Sequence, residues 1–358
     1  MITVSINGAG SGGGNNLIRS LRKSELDLHI LGTNCLPRMV LKSTADKTFL
    51  SPAYDNENYL SFFQQLITDE NIDLLIPNND KEVAAISGLR EKLDCKLFLP
   101  EDETVKVCQD KNLFYTTLGE NGIPVVSFQK IEGLDMVDEA FAALPPSEKY
   151  WVRPRSGSGS RGATWVFNAE QAKKWISLWT DLRGQAVNDF QVAVFLPGRD
   201  YNVHTIWCEG ELVSATMCER LSYVGGHNHL SGMSSSPEFA RTCQDDKTME
   251  MILKAIKSLP GIPHGCFNID LKGDGEGEMF ITEINIGRFP MIITIHDSTG
   301  KINAAETYVK CGLGQRPVYD NPLDYDEGYL LIRELDTEPL VVHESEMMAI
   351  FGYHRDLC

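Results

Sequence analysis

The stretch Cys266–Phe289, CFNIDLKGDGEGEMFITEINIGRF, decides how this chain is interpreted, because it predicts two β-strands that each carry an acidic group. In the first strand, up to Leu271, apolar residues alternate with Asn268 and Asp270. The second strand, Met279–Asn285, ends in Glu-Ile-Asn, and the glycine- and aspartate-rich segment between the strands is typical of a turn. We therefore predict an antiparallel hairpin.

The acidic groups of this hairpin point to a metal site. Side chains on a strand alternate between its two faces, so Glu283 and Asn285 share one face and Asp270 can meet them from the partner strand. Carboxylate and amide oxygens suit Mg²⁺, which takes one or two carboxylates and completes its shell with water and phosphate oxygens. From these residues alone, a solvated hairpin whose acids face water is the alternative.

The composition limits the classes of protein. A chain of 358 residues with 42% hydrophobic content can bury a large core and form two or three domains. The formal net charge of −17 argues against a surface for nucleic acid or an anionic membrane, and leaves room only for a local basic pocket that binds phosphates. The nine cysteines are scattered and never form CxxC, which favours reduced thiols. Without a signal-type segment or a long apolar run, we expect a cytoplasmic protein.

The amino terminus predicts a strand at 2–6, a glycine loop at Gly8–Gly14 and a helix at Asn16–Arg22, and the loop satisfies GxGxxG. Dinucleotide binding requires an acid at the end of the next strand, but Leu28–Leu31 is followed by Gly-Thr-Asn. We therefore favour a Rossmann-like domain over residues 1–105, in which the glycines serve a tight turn and close helix packing. NAD binding is the alternative.

Hydrophobic periodicity predicts the remaining elements. Helices are predicted at 57–69, 82–93, 102–122, 170–181, 244–259 and 302–311, and strands at 72–76, 96–99, 123–126, 190–196, 200–207, 211–217, 328–335 and 340–343.

Two further segments have amino-acid compositions that are typical of functional loops. Residues 150–167 predict a hairpin whose Gly/Ser loop could fold over a triphosphate and donate backbone N–H groups, with Arg153 and Arg155 on the entering strand and Arg161 in the loop. A mobile hairpin tip with solvated arginines is the alternative. Residues 220–239 are too polar and too long for an ordinary turn, which favours a functional loop.

The loop at 220–239 also contains the HxH pair His227 and His229. Metal binding would need a third ligand, and the sequence offers none nearby. We therefore favour histidines that are solvated or line a substrate pocket.

The order of these parts resembles the ATP-grasp superfamily, and within it the carbamoyl-phosphate-synthase-like branch, over about residues 1–310. The stretches that carry the resemblance are Ala45-Asp46-Lys47 with Pro52, Asp73–Asp80 (DLLIPNND), Asp110-Lys111 with Gly122-Ile123-Pro124, and Glu283-Ile284-Asn285. The resemblance implies a fold of mixed α/β and α+β class. It implies a Rossmann-like pre-ATP-grasp domain at 1–105, followed by a two-lobed ATP-grasp fold with an N-terminal lobe at 106–185 and a C-terminal lobe at 186–358.

The same resemblance implies an ATP site. Lys111 and Arg153 match positions that contact ATP phosphates, and arginine replaces the lysine usual at the second position. Asp200 matches the acid that accepts the ribose hydroxyls. The implied phosphate-covering loop contains Gly157, Ser158, Gly159 and Ser160, and the implied adenine hinge consists of Ala193, Val194, Phe195 and Leu196.

Asp270, Glu283 and Asn285 match ligands of two Mg²⁺ ions, for which Mn²⁺ could substitute, and Arg288 matches an arginine that steadies the transferring phosphoryl group. We also assign Arg220 and the loop that follows it, together with Arg288, to a substrate carboxylate, which needs a bidentate cation beside the metals. Arg220→Ala should therefore mainly raise the KM for that substrate. The sequence departs from the family pattern twice. The hinge glutamate is absent, and the spacing from Asn285 to Arg288 is one residue longer than usual.

The implied chemistry is that of an ATP-dependent ligase, in which a substrate carboxylate attacks the γ-phosphate and an amine then displaces phosphate from the acyl-phosphate. The expected partners are a small-molecule carboxylate and an amine. A homodimer is compatible with this chemistry, and we expect neither nucleic acid nor a membrane as a partner. A phosphotransferase, a nucleotide-sensing protein without turnover and a dehydrogenase stay open as alternatives. The chain has one set of grasp parts, which argues against carbamoyl phosphate synthesis by this chain alone.

Overall fold

The computed structural model describes residues 1–155, 161–234, 236–334 and 340–345. Its helices are α1 (Gly12–Arg22), α2 (Pro37–Lys42), α3 (Tyr59–Glu70), α4 (Asp80–Gly88), α5 (Asp102–Gln109), α6 (Lys111–Glu120), α7 (Val137–Ala142), α8 (Ala169–Arg183), α9 (Asp246–Ser258), α10 (Ile293–Thr299) and α11 (Ala304–Gly312). Its strands are β1 (Ile2–Asn7), β2 (Leu28–Asn34), β3 (Lys47–Leu50), β4 (Leu74–Ile76), β5 (Phe128–Lys130), β6 (Tyr150–Pro154), β7 (Thr164–Val166), β8 (Phe190–Val194), β9 (Asp200–Cys208), β10 (Glu211–Tyr223), β11 (Pro237–Thr242), β12 (Gly265–Gly273), β13 (Met279–Ile286), β14 (Tyr329–Ile332) and β15 (Leu340–His343).

The first of the three sheets in the described residues is parallel, with strand order β3-β2-β1-β4. The alternation of helices and strands predicted this region, but the strand predicted at 96–99 is wrong, since only Lys96 bridges to Leu74. The helix predicted at 82–93 ends earlier, at Gly88, and a single 3₁₀ turn follows at Arg90–Lys92. The sequence patterns did not predict α2 and β3, which have only six and four residues.

The glycine loop packs tightly between β1 and its neighbours. Gly10 has φ +81°, and a Cβ built on it would lie 1.8 Å from the carbonyl oxygen of Met39. Helix α1 begins at Gly12 rather than Asn16, because Ser11 Oγ accepts from the Gly14 N–H and caps the helix. The geometry agrees with a turn and packing role for these glycines.

Gly14→Ala is expected to lower the free energy of unfolding by about 3 kcal/mol, because the new methyl would lie 2.3 Å from the Gly8 carbonyl oxygen in packed backbone. Gly88→Ala is the matched control, as Gly88 is also helical and has nothing within 4 Å of its Cβ position. That control should stabilise the protein by up to about 1 kcal/mol. Urea unfolding measures both, and equal effects would contradict the packing role.

Residues 102–122, predicted as one helix, form α5 and α6. The break lies at Asp110, which is extended and whose side chain accepts from the N–H groups of Asn112 and Leu113, capping α6. The strand predicted at 123–126 is also wrong. The Ile123 N–H donates to the Leu118 carbonyl and closes α6, so the next strand, β5, begins only at Phe128.

The second sheet is antiparallel, with order β5-β8-β6-β7, and packs against α7 and α8 through its own apolar cluster. It confirms the hairpin predicted at 150–167, of which residues 156–160 lie outside the described residues. Strand β8 is a member of this sheet. The division of the chain at 105 and 185 stays a prediction.

The third sheet has seven strands in the order β13-β12-β9-β10-β11-β14-β15, with antiparallel neighbours. The loop predicted at 220–239 is shorter, because β10 continues to Tyr223 and β11 begins at Pro237. The cross-strand ion pair of Arg241 with Glu219, at 2.8 Å, helps to extend this pairing. Helix α10 was not predicted. None of the helices in the described ranges is both long and apolar enough to cross a bilayer.

Helix α4 carries a buried acid in its first turn. Glu82 is 8% exposed, and Asn79 Oδ1 accepts from its N–H while Asn79 Nδ2 donates to its carboxylate. Burial raises the pKa of Glu82 to about 7, and the hydrogen bond from Asn79 only partly opposes this. An acid whose pKa is raised by folding loses its stabilising contribution as the pH rises from about 4.5 to about 7.

Glu82→Gln should therefore leave the free energy of unfolding nearly unchanged at pH 4.5 and raise it by about 2 kcal/mol at pH 8, where the wild type holds a buried charge. Helix α4 favours a negative charge at its start, which keeps the gain below the full value of the pKa shift. Urea unfolding at the two pH values tests this. A difference between variant and wild type that does not change with pH would contradict it.

Candidate active site

A cavity of about 640 Å³ lies where the three sheets meet. The loop after β1 contributes Ser11, and the first turn of α4 contributes Asp80. The second sheet contributes Trp151 and Arg153, and the third contributes the hairpin β12–β13. These segments are far apart in sequence. The cavity therefore gathers most of the site residues predicted above.

The hairpin predicted at the outset is confirmed. Asp270 pairs with Glu283 and Asn268 with Asn285, and a bulge follows Asp270. The Asn285 amide Nδ2 donates to Asp270 Oδ2 at 3.0 Å. The side chains of Asp270 and Glu283 are only 21% and 26% exposed, which is inconsistent with a solvated hairpin.

Glu283 faces cations from two other elements. Lys111 Nζ, at the start of α6, lies 3.5 Å from Glu283 Oε2. Arg153 on β6 donates through Nη2 to the Tyr115 hydroxyl and, at 3.3 Å, to the Thr282 carbonyl. Burial alone would raise the pKa of Glu283, but these cations and Arg288 outweigh it and lower the pKa, so Glu283 is ionised.

Arg288 reaches the same site despite the additional residue before it. Gly287 has φ +71°, a conformation that suits glycine, and absorbs the longer spacing. Arg288 Nη2 then donates to Asn285 Oδ1, and Arg288 Nε donates to Asp80 Oδ1 at 2.5 Å. The contacts of Arg288 with Asp80 and Asn285 therefore link the start of α4 to the hairpin.

Arg220 also lies in the cavity, but its donors are already engaged. Nε donates to Asp200 Oδ1 at 2.6 Å, Nη1 to Asp270 Oδ1 at 2.8 Å, and Nη2 to the Tyr201 carbonyl at 3.4 Å. This arrangement leaves little of the guanidinium for a substrate carboxylate. The expected effect of Arg220→Ala therefore extends beyond the KM to the Asp200 and Asp270 side chains that Arg220 holds.

Asp200 is the centre of this cluster, and its side chain is 5% exposed. Besides Arg220, it accepts from the Tyr223 hydroxyl at 2.7 Å and from Lys272 Nζ at 3.0 Å. Burial would raise its pKa, but Arg220 and Lys272 lower it. Binding ribose hydroxyls, the role implied by the resemblance, would require one of these partners to move.

The implied adenine hinge forms part of the wall of the same cavity. Ala193, Val194, Phe195 and Leu196 all border the cavity. The Val194 N–H donates to the Ser127 carbonyl at 3.0 Å and the Phe195 N–H to the Lys149 carbonyl at 3.2 Å. A base at this wall would have to be bound through the other backbone groups of the segment.

Gly157, Ser158, Gly159 and Ser160 lie outside the described residues. The flanking residues are anchored. The Arg155 N–H donates to the Asp189 carbonyl at 2.7 Å, and the Gly162 carbonyl accepts from Trp175 Nε1 at 2.8 Å. Arg161, just after the gap, lines the cavity. His227 and His229 are exposed, and neither lines the cavity.

The lining is basic although the whole chain is acidic. Among the described residues that border the cavity, the cations outnumber the carboxylates by six to four: Lys111, Arg153, Arg161, Arg220, Lys272 and Arg288 against Asp80, Asp200, Asp270 and Glu283. The wall thus favours a polyanion such as a nucleotide phosphate. Sequence inspection missed Asp80, Tyr223 and Lys272. The last could have been found, since it lies two residues after Asp270 on the same strand face.

The candidate metal ligands fit a hard cation only in part. Within the described ranges, no three His, Cys, Asp or Glu side chains gather into a metal cluster, so the candidate set consists of two carboxylates and an amide. Glu283 and Asn285 lie on one strand face and carry the oxygen ligands that Mg²⁺ prefers. Asn285 Oδ1, however, already accepts from Arg288 Nη2, and Glu283 Oε2 lies 3.5 Å from Lys111 Nζ. Both oxygens of Asp270 already accept hydrogen bonds, from Arg220, Asn202 and Asn285.

Comparisons with known proteins agree on the fold. No family model matches the chain. The chain is 22% identical over 287 residues to the carbamoyl phosphate synthase large chain of Gemmatimonas aurantiaca, a match that covers 76% of this chain and 25% of that relative. The chain thus spans about a quarter of the length of the curated relatives that it matches.

Two solved structures are similar over 92% of this chain. An L-amino acid ligase from Bacillus licheniformis has a TM-score of 0.70 at 13% identity, with 79% of its chain covered. The biotin carboxylase domain of a 2-oxoglutarate carboxylase from Hydrogenobacter thermophilus, in complex with MgADP and bicarbonate, has a TM-score of 0.72 at 12% identity, with 74% of its chain covered. The chain therefore has the ATP-grasp fold, and within that superfamily its sequence resembles the large chains of carbamoyl phosphate synthases.

Proposed function

We propose that this chain is an ATP-dependent ligase that activates a small carboxylate as an acyl-phosphate and joins it to an amine, with release of ADP and phosphate. The observation that carries this proposal is the single cavity that combines a hinge-like wall, a cluster of cations and an acid–amide pair on one hairpin. The similarity to an L-amino acid ligase and to a biotin carboxylase domain that binds MgADP supports it.

The chain's own residues divide this work between binding and transfer. Ala193–Leu196 border the adenine, while Lys111 and Arg153 neutralise phosphate oxygens. Arg288, held by Asp80, stabilises the charge that moves with the phosphoryl group. Glu283 and Asn285 would hold Mg²⁺, which supplies Lewis-acid stabilisation of the same oxygens when bound.

The acyl-phosphate needs no protein nucleophile. The substrate carboxylate oxygen attacks the γ-phosphorus and the bond to the β–γ bridging oxygen breaks, which leaves ADP. The amine nitrogen then attacks the acyl carbon, phosphate departs, and the nitrogen loses a proton. Both steps require positioning of the reactants and stabilisation of the moving charge, which the cations of the cavity supply.

The test measures ADP release with Mg-ATP against paired pools of amino acids and small carboxylates, followed by mass spectrometry of the product. ADP, phosphate and an amide in equal amounts support the ligase. A phosphorylated product with no amide would support a phosphotransferase. Nucleotide binding without ADP release in any pool would support a nucleotide-sensing protein.

A further inference from the structure

We infer that the substrate of the proposed ligase is a carboxylate with an apolar group. One carboxylate oxygen accepts from the side-chain amide of Asn78, and the apolar group packs against the Met291 side chain. This inference rests on the proposed function, because it names the substrate class of that cavity. Neither Asn78 nor Met291 belongs to the candidate site residues predicted from the sequence, and both border the cavity.

The subsite lies at the carboxyl ends of β1 and β4, which pair with each other in the parallel sheet. From β1 the chain continues to β2 and β3 on one side of β1 and then returns to β4 on the other side. Open parallel sheets commonly bind ligands at such a point, because the loops after the two strands leave a crevice between them. Gly13, in the first turn of α1, and Asn78, two residues after β4, both border the cavity there.

Asn78 offers a hydrogen-bond donor that the protein leaves unused. Its Oδ1 accepts from the Phe289 N–H at 3.1 Å, which fixes the orientation of the amide and directs Nδ2 away from that N–H. Nδ2 is buried and finds no acceptor among the residues that the structure describes. Because a buried N–H group without a partner costs free energy, a ligand that supplies an acceptor is favoured there. A carboxylate oxygen is a strong acceptor, since it carries charge.

The Met291 side chain lies beside this donor and can move away from it. A Cβ built on Gly13 would lie 3.5 Å from Asn78 Nδ2 and 3.6 Å from Met291 Sδ, so both atoms face the same small space. The Met291 carbonyl accepts from Asn16 Nδ2 at 2.9 Å and from Arg333 Nη2, which holds the backbone in place. The flexible thioether can therefore change rotamer, admit a carboxylate oxygen to Nδ2 and then pack against the substrate.

The segment after Arg288 makes this part of the cavity apolar. Phe289, Pro290, Met291 and Ile292 all border the cavity, and none of them has a charged, hydroxyl or amide side chain. A polar group held against this segment would lose its hydrogen bonds to water, whereas an apolar group gains from burial. The carboxylate end of the substrate would lie near Arg288, because the N–H that binds the Asn78 side chain belongs to the next residue.

The test measures the binding of four carboxylates by isothermal titration calorimetry, with Mg²⁺ and saturating β,γ-imido-ATP so that no turnover occurs. Succinamate and 4-methylpentanoate have the same shape and differ in the polarity of the far end, and asparagine and leucine form the same pair with an α-amino group. In at least one pair the apolar member should bind at least about tenfold more tightly than the polar member. Equal binding, a preference for the polar member, or no binding in both pairs would overturn the inference.

Gly13→Ala fills the space that Asn78 Nδ2 and Met291 Sδ face. The fold should tolerate it, because both contacts would be at ordinary van der Waals distance and the position is helical. This variant should weaken binding of the preferred carboxylate by at least about tenfold. The control, Gly88→Ala, lies in a helix with nothing within 4 Å of its Cβ position and should leave binding within about twofold of wild type. Unchanged affinity in Gly13→Ala would be incompatible with the subsite.

Asn78→Asp keeps an acceptor for the Phe289 N–H and replaces the unused donor with a carboxylate oxygen. The affinity for the preferred carboxylate should fall by at least about thirtyfold, while that for β,γ-imido-ATP should change by less than about threefold. A folded Asn78→Asp variant that binds the carboxylate as wild type does would rule the inference out. Binding as expected without any amide product would contradict only the proposed ligase. Amide formation that is the same in wild type, Gly13→Ala and Asn78→Asp would contradict only this inference.

Discussion

Glu283→Gln is expected to lower the rate of ADP formation by at least about 10²-fold, the largest effect of any single substitution in the cavity. The glutamine keeps the shape of the side chain but removes the negative charge that faces Lys111, Arg153 and Arg288. Without that charge a divalent cation is bound more weakly, and the cations of the wall repel one another instead of sharing a carboxylate. Steady-state ADP formation with Mg-ATP and the substrate pair measures the loss.

The control for Glu283→Gln is Glu278→Gln in the turn of the same hairpin. Glu278 is 57% exposed and pairs with Lys247, so the same chemical change there should leave the rate within about twofold of wild type. Thermal unfolding of both variants separates a loss of chemistry from a loss of fold. A folded Glu283→Gln variant that keeps its rate within about threefold would contradict the proposed role of the hairpin.

The hairpin could be predicted from the sequence because the residues that specify it lie close together along the chain. Alternating residues assign a face to each side chain, so Asp270, Glu283 and Asn285 could be grouped before any tertiary contact was known. Local signals failed where one side chain redirects the backbone. Asp110 divides a continuous helical pattern, since a carboxylate that caps two N–H groups outweighs periodicity.

The partners of the site residues could not be predicted, because they depend on how distant segments meet. Arg220 carries the same charge whether it binds a substrate or two aspartates, and only the packing of β9, β10 and β12 brings Asp200 and Asp270 to it. The alternation of helices and strands predicted the parallel sheet, but it did not indicate that the start of α4 supplies Asp80 to the cavity. Sequence patterns therefore predict the secondary-structure elements and the face on which each side chain lies. Tertiary packing decides which charged side chains are already engaged by other side chains.

The contact between Asp80 and Arg288 is the clearest case, as it joins residues 208 positions apart. Arg288→Ala is expected to lower kcat by about 10²-fold with a smaller change in the KM for ATP, since the cation acts on charge that develops during transfer. Arg288→Lys should recover only part of the rate. A single ammonium cannot keep both Asp80 and Asn285 in the positions that the planar guanidinium allows.

Asp80→Asn tests whether the distant carboxylate acts through Arg288. We expect Asp80 to act only by holding Arg288 in position. Asp80→Asn should therefore lower kcat by about tenfold in the wild type, and it should have almost no effect in the Arg288→Ala background. Independent effects that multiply in the double variant would show that Asp80 acts on the substrate directly. If Arg288→Ala leaves kcat unchanged with the fold intact, the transferring phosphoryl group does not lie next to Arg288 and Asn285, which contact each other on the hairpin.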